Sequence, residues 1–530
     1  MNYLIHDFIF TTTRRSPGAS ALAHGPDSLD YEALAAIVRR AAQVFLHSGL
    51  QGGERVAVYL EKRVEAVAAM FGTSLAGGVF VPVNPLLKPD QVAHILDDCS
   101  VKILLTSAER LVQLAPQLAR CPELRLVLVT GIPDQDVAQL TVPLLGWEPS
   151  MSSTGSALPS HRRIDTDVAA ILYTSGSTGK PKGVVLSHRN MVAGARSVAS
   201  YLELVEADRI LAVLPLSFDY GLSQLTCAFL VGANVILLNH LFARDIVDAV
   251  IAHNITGLAA VPPLWNQLAR LPWPGNCTLR YLTNSGGAMP ATTLAALRRA
   301  LPQTQVFLMY GLTEAFRSTF LPPAEIDNRP GSIGRAIPNV DVMVLRRDGT
   351  PCDTDEPGEL VHRGALVALG YWNDPLKTAE RFRPVLNNDA ALPLVEMAVW
   401  SGDTVRRDAD GYLYFIGRDD DIIKVSGYRV SPTELEEVVL ELDDLDEVIA
   451  FGVPHPELGQ AIVLLATAAT GGVADAAAVR KLCQRRLPSY MVPSHVGMRI
   501  EPFPRNPNGK IDRKNVALPF MNMFTATIDE

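Results

Sequence analysis

The 530-residue chain is 48% hydrophobic and 19% charged, with a formal net charge of −9. That composition excludes a disordered chain, the length exceeds what one hydrophobic core supports, and the acidic balance argues against nucleic acid or an anionic membrane surface as main partner. Six scattered cysteines without a CxxC pair, and an N-terminus lacking a basic start and apolar run, point away from zinc, disulfides or a signal peptide and toward a reducing cytoplasm.

Residues 31–50 carry helical spacing and 55–60 read as a strand. Residues 66–87 lack charge over a length sufficient to span a bilayer. Gly77-Gly78 interrupts them, and β-branched Val79, Val81 and Val83 follow together with Pro82 and Pro85. A buried helix, a glycine turn and a buried strand are therefore predicted, not a membrane span. The run 225–238, broken at Gly232, has the same form. Residues 101–106 form another β-branched run, and the small polar stretch 149–156 reads as an exposed loop. The alternation predicts an α/β fold, with helices covering a largely parallel sheet. After Asp408-Ala409-Asp410-Gly411, residues 412–417 read as a strand, followed by charged Arg418-Asp419-Asp420-Asp421. The rest again alternates helix and strand, enough for a small α+β domain. The predicted division is 1–419 and 420–530.

A strand-like segment, 169–173, runs into Thr174-Ser175-Gly176-Ser177-Thr178-Gly179-Lys180-Pro181-Lys182-Gly183, with a helical pattern from about Asn190. Glycines let the backbone turn tightly and expose its N–H groups, while hydroxyls and two lysines add donors and charge, a combination suited to a polyphosphate. A Walker A loop is excluded, because Pro181 stands where that motif has Ser or Thr after its lysine.

This loop resembles the core motif of the adenylate-forming superfamily, which includes acyl-CoA synthetases, the adenylation domains of peptide synthetases and firefly-type luciferases. Further matches follow in order: 29–34, 81–85, Tyr310-Gly311-Leu312-Thr313-Glu314, Gly358-Glu359-Leu360, Gly370-Tyr371-Trp372, Ser401-Gly402-Asp403, the run Gly417-Arg418 through Gly427-Tyr428-Arg429, and Pro507-Asn508-Gly509-Lys510. The resemblance implies a large AMP-binding domain with a β-rich subdomain, followed by a small mobile lid domain. The activity it implies is ATP-dependent activation of a carboxylic acid as acyl-AMP, then transfer to a thiol. The thiol is that of CoA or of a phosphopantetheine on a separate acyl or peptidyl carrier protein.

Carried over position by position, the resemblance gives Lys510 as the cation bridging the acid and the α-phosphate, and Glu314 as the Mg²⁺ ligand. Thr174, Ser175, Gly176, Ser177, Thr178, Gly179 and Lys182 would cradle the phosphates, with Thr313 adding a hydroxyl. Asp403 would accept both ribose hydroxyls, supported by Arg418 and Arg429. Gly286, Gly287 and Ala288 would pass beside the adenine, with Tyr310 and Gly311 near it. Asp420 matches the hinge, and Gly427 the segment facing the thiol tunnel, where a missing side chain leaves room for a pantetheine arm. Phe218 takes the gate position of the acid pocket. Asp219 follows it, as in amino-acid adenylation domains, where an aspartate pairs with the substrate ammonium. Arg317, just after Glu314, is an equal candidate to pair with Asp219 and cancel that signal. The runs 57–63 and 80–89 resemble acyl-CoA ligases associated with the exosortase A system.

Overall fold

The computed structural model describes residues 2–131, 140, 142–152, 160–174, 181–385, 395–418, 422–442, 444–468, 475–504, 511 and 513–525. The fold is α/β, with a large N-terminal domain of mixed sheets and a small C-terminal domain. One sheet runs in the order Gly370–Tyr371, Lys182–Ser187, Val168–Thr174, Val79–Pro82, Arg55–Tyr59, Ile103–Ser107, Leu126–Thr130 and Leu144–Gly146. Its inner pairs from Val168–Thr174 onward are parallel, so its strands are buried on both faces and read as continuous apolar runs. The second sheet is parallel across Asn234–Leu237, Arg209–Ala212, Gly257–Ala260, Tyr281–Asn284 and Gln305–Tyr310. It then turns antiparallel through Thr319–Leu321 and Ser332–Ala336 into the β-rich part formed by Val340–Leu345, Gly358–Gly364, Met397–Arg407 and Leu413–Arg418.

The uncharged run 66–87 forms the helix Val64–Leu75, a turn with Gly77 at φ +83°, and the strand Val79–Pro82. Gly232, at φ +93°, likewise ends the helix Asp219–Val231 ahead of Asn234–Leu237. Glycine takes the left-handed conformation without the Cβ clash that other residues meet. Among the described residues no helix is long and apolar enough to cross a membrane. Of the exposed loop predicted over 149–156, residues 149–152 are corrected, since they belong to a helix, Trp147–Ser152, while 153–156 lie outside the described residues. Pro149 sits in its first turn, where no intrahelical N–H is needed, and buried Trp147 packs on Phe45.

The described C-terminal residues form a five-stranded sheet around Leu445–His455 and Gly459–Ala468, with its own apolar core. It rests on the larger part through both polar and aromatic contacts. Asn266 Nδ2 donates to the Pro456 carbonyl at 2.8 Å, and Arg270 meets Glu457 at 2.9 Å.

Candidate active site

Parallel strands deliver the loops at their carboxyl ends to one side of a sheet, and the crevice there is where α/β folds bind ligands. Both sheets do so here, around a single cavity of about 1090 Å³. Its walls come from the ends of Arg55–Tyr59, Val79–Pro82, Val168–Thr174, Arg209–Ala212, Gly257–Ala260, Tyr281–Asn284 and Gln305–Tyr310. The opposite wall is Lys424, Ser426, Gly427, Tyr428, Arg429, Glu434, Tyr490 and Met491 from the C-terminal domain.

Glu314 stands in the 3₁₀ turn Thr313–Ala315 just beyond the strand Gln305–Tyr310 and is 4% exposed. The turn is held by Phe316, in the left-handed region at φ +53°, whose fully buried ring packs against Gly194. A Cβ on Gly194 would lie 2.6 Å from that ring, so the helix His188–Tyr201 carries glycine where the turn is locked in place. That helix begins two residues before the predicted Asn190, because the Ser187 hydroxyl and the Asn190 side chain form a capping box.

Antiparallel register sets Thr174 opposite Lys182, and Tyr371 opposite Val184. Lys182 and Tyr371 thereby meet Glu314. The Lys182 ammonium donates to the Tyr371 hydroxyl at 3.0 Å, that hydroxyl donates to Glu314 Oε1 at 2.7 Å, and the ammonium is 3.5 Å from the same oxygen. Burial works to raise the Glu314 pKa, but Lys182, Arg429 and the Tyr371 hydroxyl outweigh it and hold the carboxyl well below the usual range. Burial also brings Lys182 down to about 8, against the pull of Glu314. Glu314 Oε2 is buried and has no hydrogen-bond partner among the described residues. An ionised, buried carboxylate oxygen left in that state fits a hard cation.

Asp403, 4% exposed, lies in the strand Met397–Arg407 and accepts the Tyr310 hydroxyl hydrogen bond. Its N–H donates to the Ser401 hydroxyl at 3.1 Å, and that hydroxyl donates to the Leu360 carbonyl at 2.6 Å. Arg418 is brought opposite Asp403 in strand register. The Tyr310 ring stacks on His362, with centroids 6.3 Å apart and planes at 16°. Burial lowers the His362 pKa to about 3, against a weaker upward pull from Glu314, so the imidazole is neutral. Gly286 takes φ +82°, and Asn284 Nδ2 fixes the turn by donating to the Gly287 carbonyl at 3.0 Å. Ala288, Gly311 and Thr313 line the cavity nearby.

On the remaining wall, Phe218 precedes the helix Asp219–Val231 and meets Tyr428 edge-on at 5.0 Å, while Tyr428 stacks on Tyr490 at 3.8 Å. Asp219 pairs with Arg317: Nη1 donates to Oδ2 at 2.6 Å, and Nη2 donates to the Ser223 hydroxyl at 2.8 Å. A substrate ammonium at Asp219 would therefore share it with a guanidinium. Gly427, at φ +83°, lies against Val261, where a Cβ would come within 2.8 Å of Cγ1.

Ser175, Gly176, Ser177, Thr178, Gly179, Asp420 and Lys510 lie outside the described residues. Tyr371 and His362 were not singled out as site residues from the sequence, and Arg317 was named only as an alternative partner for Asp219, the role it takes here. For Tyr371 a signal existed, since it stands in a matched motif. His362 carried none, its place depending on sheet register.

Comparison with known proteins agrees with this geometry. The family model described as AMP-binding enzyme matches residues 9–372, and that of the AMP-binding enzyme C-terminal domain matches 434–510. The sulfoacetate–CoA ligase of Cupriavidus necator is 32% identical over 92% of each chain. The L-proline–[L-prolyl-carrier protein] ligase of Pseudomonas fluorescens is 30% identical over 96% of this chain and 98% of its own. The ATP-bound crystal structure of MatB from Rhodopseudomonas palustris superposes with a TM-score of 0.69, at 26% identity, over 99% of this chain and 100% of its own. The chain spans only 6% to 14% of the length of the first curated relatives it matches.

Proposed function

The chain belongs to the AMP-binding enzyme family, an adenylate-forming ligase family, and from that premise we propose that it is an ATP-dependent, AMP-forming acid–thiol ligase acting with CoA. The observation that carries the reading is the buried Lys182–Tyr371–Glu314 cluster, set in one cavity with the Tyr310–Asp403 pair. A MatB structure with ATP bound, and a CoA ligase among the relatives, support it.

A carboxylate is a poor electrophile and must gain a leaving group. Its oxygen attacks the α-phosphate of ATP, giving acyl-AMP and pyrophosphate. Charge developing on that phosphate needs fixed cations and donors in a water-poor site. Lys510 bridges the acid and the α-phosphate, and Lys182, Thr313 and the loop from Thr174 through Gly179 hold the phosphates. Glu314 would hold Mg²⁺, which supplies charge neutralisation at the phosphate oxygens when bound. Asp403 takes the ribose hydroxyls, with Arg418 and Arg429 alongside, and Gly286, Gly287, Ala288, Tyr310 and Gly311 flank the base. In the second half-reaction a thiol attacks the acyl carbonyl and AMP leaves. Gly427 sits where a narrow arm passes Phe218, and rotation of residues 420–530 about Asp420 exchanges Lys510 for this segment.

A second reading, loading of an amino-bearing acid onto a separate carrier protein, draws on Asp219 at the cavity wall and on the prolyl-carrier relative. The Arg317–Asp219 pair favours the first reading. The runs 57–63 and 80–89 support placing the chain with ligases associated with the exosortase A system.

The test is acid-dependent ATP–pyrophosphate exchange across fatty, aryl, amino and dicarboxylic acids, with CoA consumption read in parallel. Lys510→Ala is expected to abolish exchange while sparing thioester formation from supplied acyl-adenylate. Equal loss of both half-reactions, or no exchange with any acid, refutes the reading.

A further inference from the structure

Of the cations lining the cavity, Arg110 and Arg317 each have a carboxylate against them, Glu61 at 3.3 Å and Asp219 at 2.6 Å. Lys62 stands differently. It follows the strand Arg55–Tyr59, and Asn239 clamps its backbone: Nδ2 donates to the Lys62 carbonyl at 2.7 Å, and the Lys62 N–H donates to Oδ1 at 3.3 Å. The side chain crosses to the other sheet, where Nζ donates to the Val213 carbonyl at 3.0 Å. Among the described residues no carboxylate oxygen lies within 4.0 Å of this ammonium. Neighbouring acids are engaged elsewhere. Glu61 faces Arg63 and Arg110, and Asp245 accepts the N–H groups of Leu241 and Phe242. Burial draws the Lys62 pKa down to about 8 with no anion opposing it.

His240 lines the same end of the cavity, and its Nδ1 is buried with no hydrogen-bond partner among the described residues. Burial and then Lys62 hold its pKa below the ordinary value, with Asp245 pulling the other way. The adjoining wall, Leu60, Met70 and Leu214, is apolar. A half-buried ammonium and an unengaged imidazole nitrogen at the end of an apolar wall are costly when empty and complementary to an anion.

We propose that Lys62 and His240 form an anion subsite at this end of the cavity, taking a carboxylate, sulfonate or phosphate group of an entering substrate. The ammonium supplies the charge, and the imidazole, protonated on Nδ1, supplies a neutral donor. The identity of that substrate rests on the ligase reading and has two sources: a second anionic group on the acid, or a phosphate of the thiol acceptor.

Lys62→Met keeps the length and packing of the stem and removes the charge, and Lys62→Arg keeps the charge. The KM for adipate against hexanoate, read by pyrophosphate exchange, tests the acid. The KM for CoA against pantetheine, read by thioester formation, tests the acceptor. Wild type is expected to favour the anionic member of one pair, and Lys62→Met to cut that preference about tenfold or more, with Lys62→Arg retaining most of it. The pair that changes identifies the source. His240→Asn is expected to act in the same direction and stands in if Lys62→Met does not fold. Wild-type indifference within both pairs, or preferences unchanged in the variants, overturns the subsite. Melting-temperature shifts produced by adipate and by CoA read the subsite without turnover: equal shifts in wild type and Lys62→Met overturn it. A wild type inert in exchange but showing Lys62-dependent shifts refutes the ligase reading alone.

Discussion

Tyr371→Phe isolates the contact on which the buried charge cluster turns. The change removes one oxygen and leaves the ring, whose packing against Phe382 at 5.5 Å is unaffected. The lost hydroxyl donates to Glu314 Oε1 at 2.7 Å and accepts from Lys182 at 3.0 Å, so two hydrogen bonds to charged groups go together. A hydrogen bond to a charged group is worth about 1.5–3 kcal/mol net. Lys182, at 3.5 Å, still neutralises the carboxylate, so a loss of about 2 kcal/mol is expected, not the sum of both bonds. The assay is urea unfolding followed by intrinsic fluorescence. All five tryptophans, Trp147, Trp265, Trp273, Trp372 and Trp400, precede residue 420, so the signal reports the large domain. A double-mutant cycle with Glu314→Gln should give a coupling of about 1 kcal/mol or more. Additivity within about 0.5 kcal/mol would mean that the hydroxyl and carboxylate do not support each other, and the account of Glu314 would fall.

The remaining predictions concern the same walls. Lys182 titrates near 8 in the folded chain against an ordinary 10.5, so between those values the unfolded chain binds more protons and stability from this group rises with pH, by about 3 kcal/mol in full. Exchange activity should nevertheless fall above about pH 8. A parallel fall of the unfolding midpoint would show that the loss reflects unfolding. Gly427→Val adds a Cβ where 2.8 Å separates it from Val261 Cγ1, at φ +83°. Thioester formation should drop on the order of a hundredfold, with exchange much less affected, and equal effects on both would place the segment elsewhere. Asp219→Asn strands the buried Arg317 charge and should destabilise by about 3 kcal/mol, recovered in part by adding Arg317→Met. A double variant no more stable than the single one would show that the pair is not coupled.

Much of the site was legible as sequence because its parts are contiguous. The glycine-rich loop, Thr313-Glu314 and Ser401-Gly402-Asp403 each carry their chemistry within a few residues, and the first follows a strand that the hydrophobic pattern reveals. The helix, turn and strand of residues 66–87 were readable because glycine at φ +83° is a local requirement. The helix Trp147–Ser152 was not, because a proline at its start looks like a break and the stabilising contact, Trp147 on Phe45, is about a hundred residues away.

Sequence alone determined the family, the α/β class, and which residue types bring phosphate and carboxylate chemistry. Only the tertiary structure decided which charges cancel. Arg317 lies 98 positions from Asp219, and Tyr371 lies 57 from Glu314, yet each pair is bonded. Lys62, next to Glu61 and three residues before Glu65 in sequence, has no carboxylate within 4.0 Å among the described residues. The physical reason is that charge interactions fall off with distance and are magnified by burial, and both quantities are set by sheet register and packing.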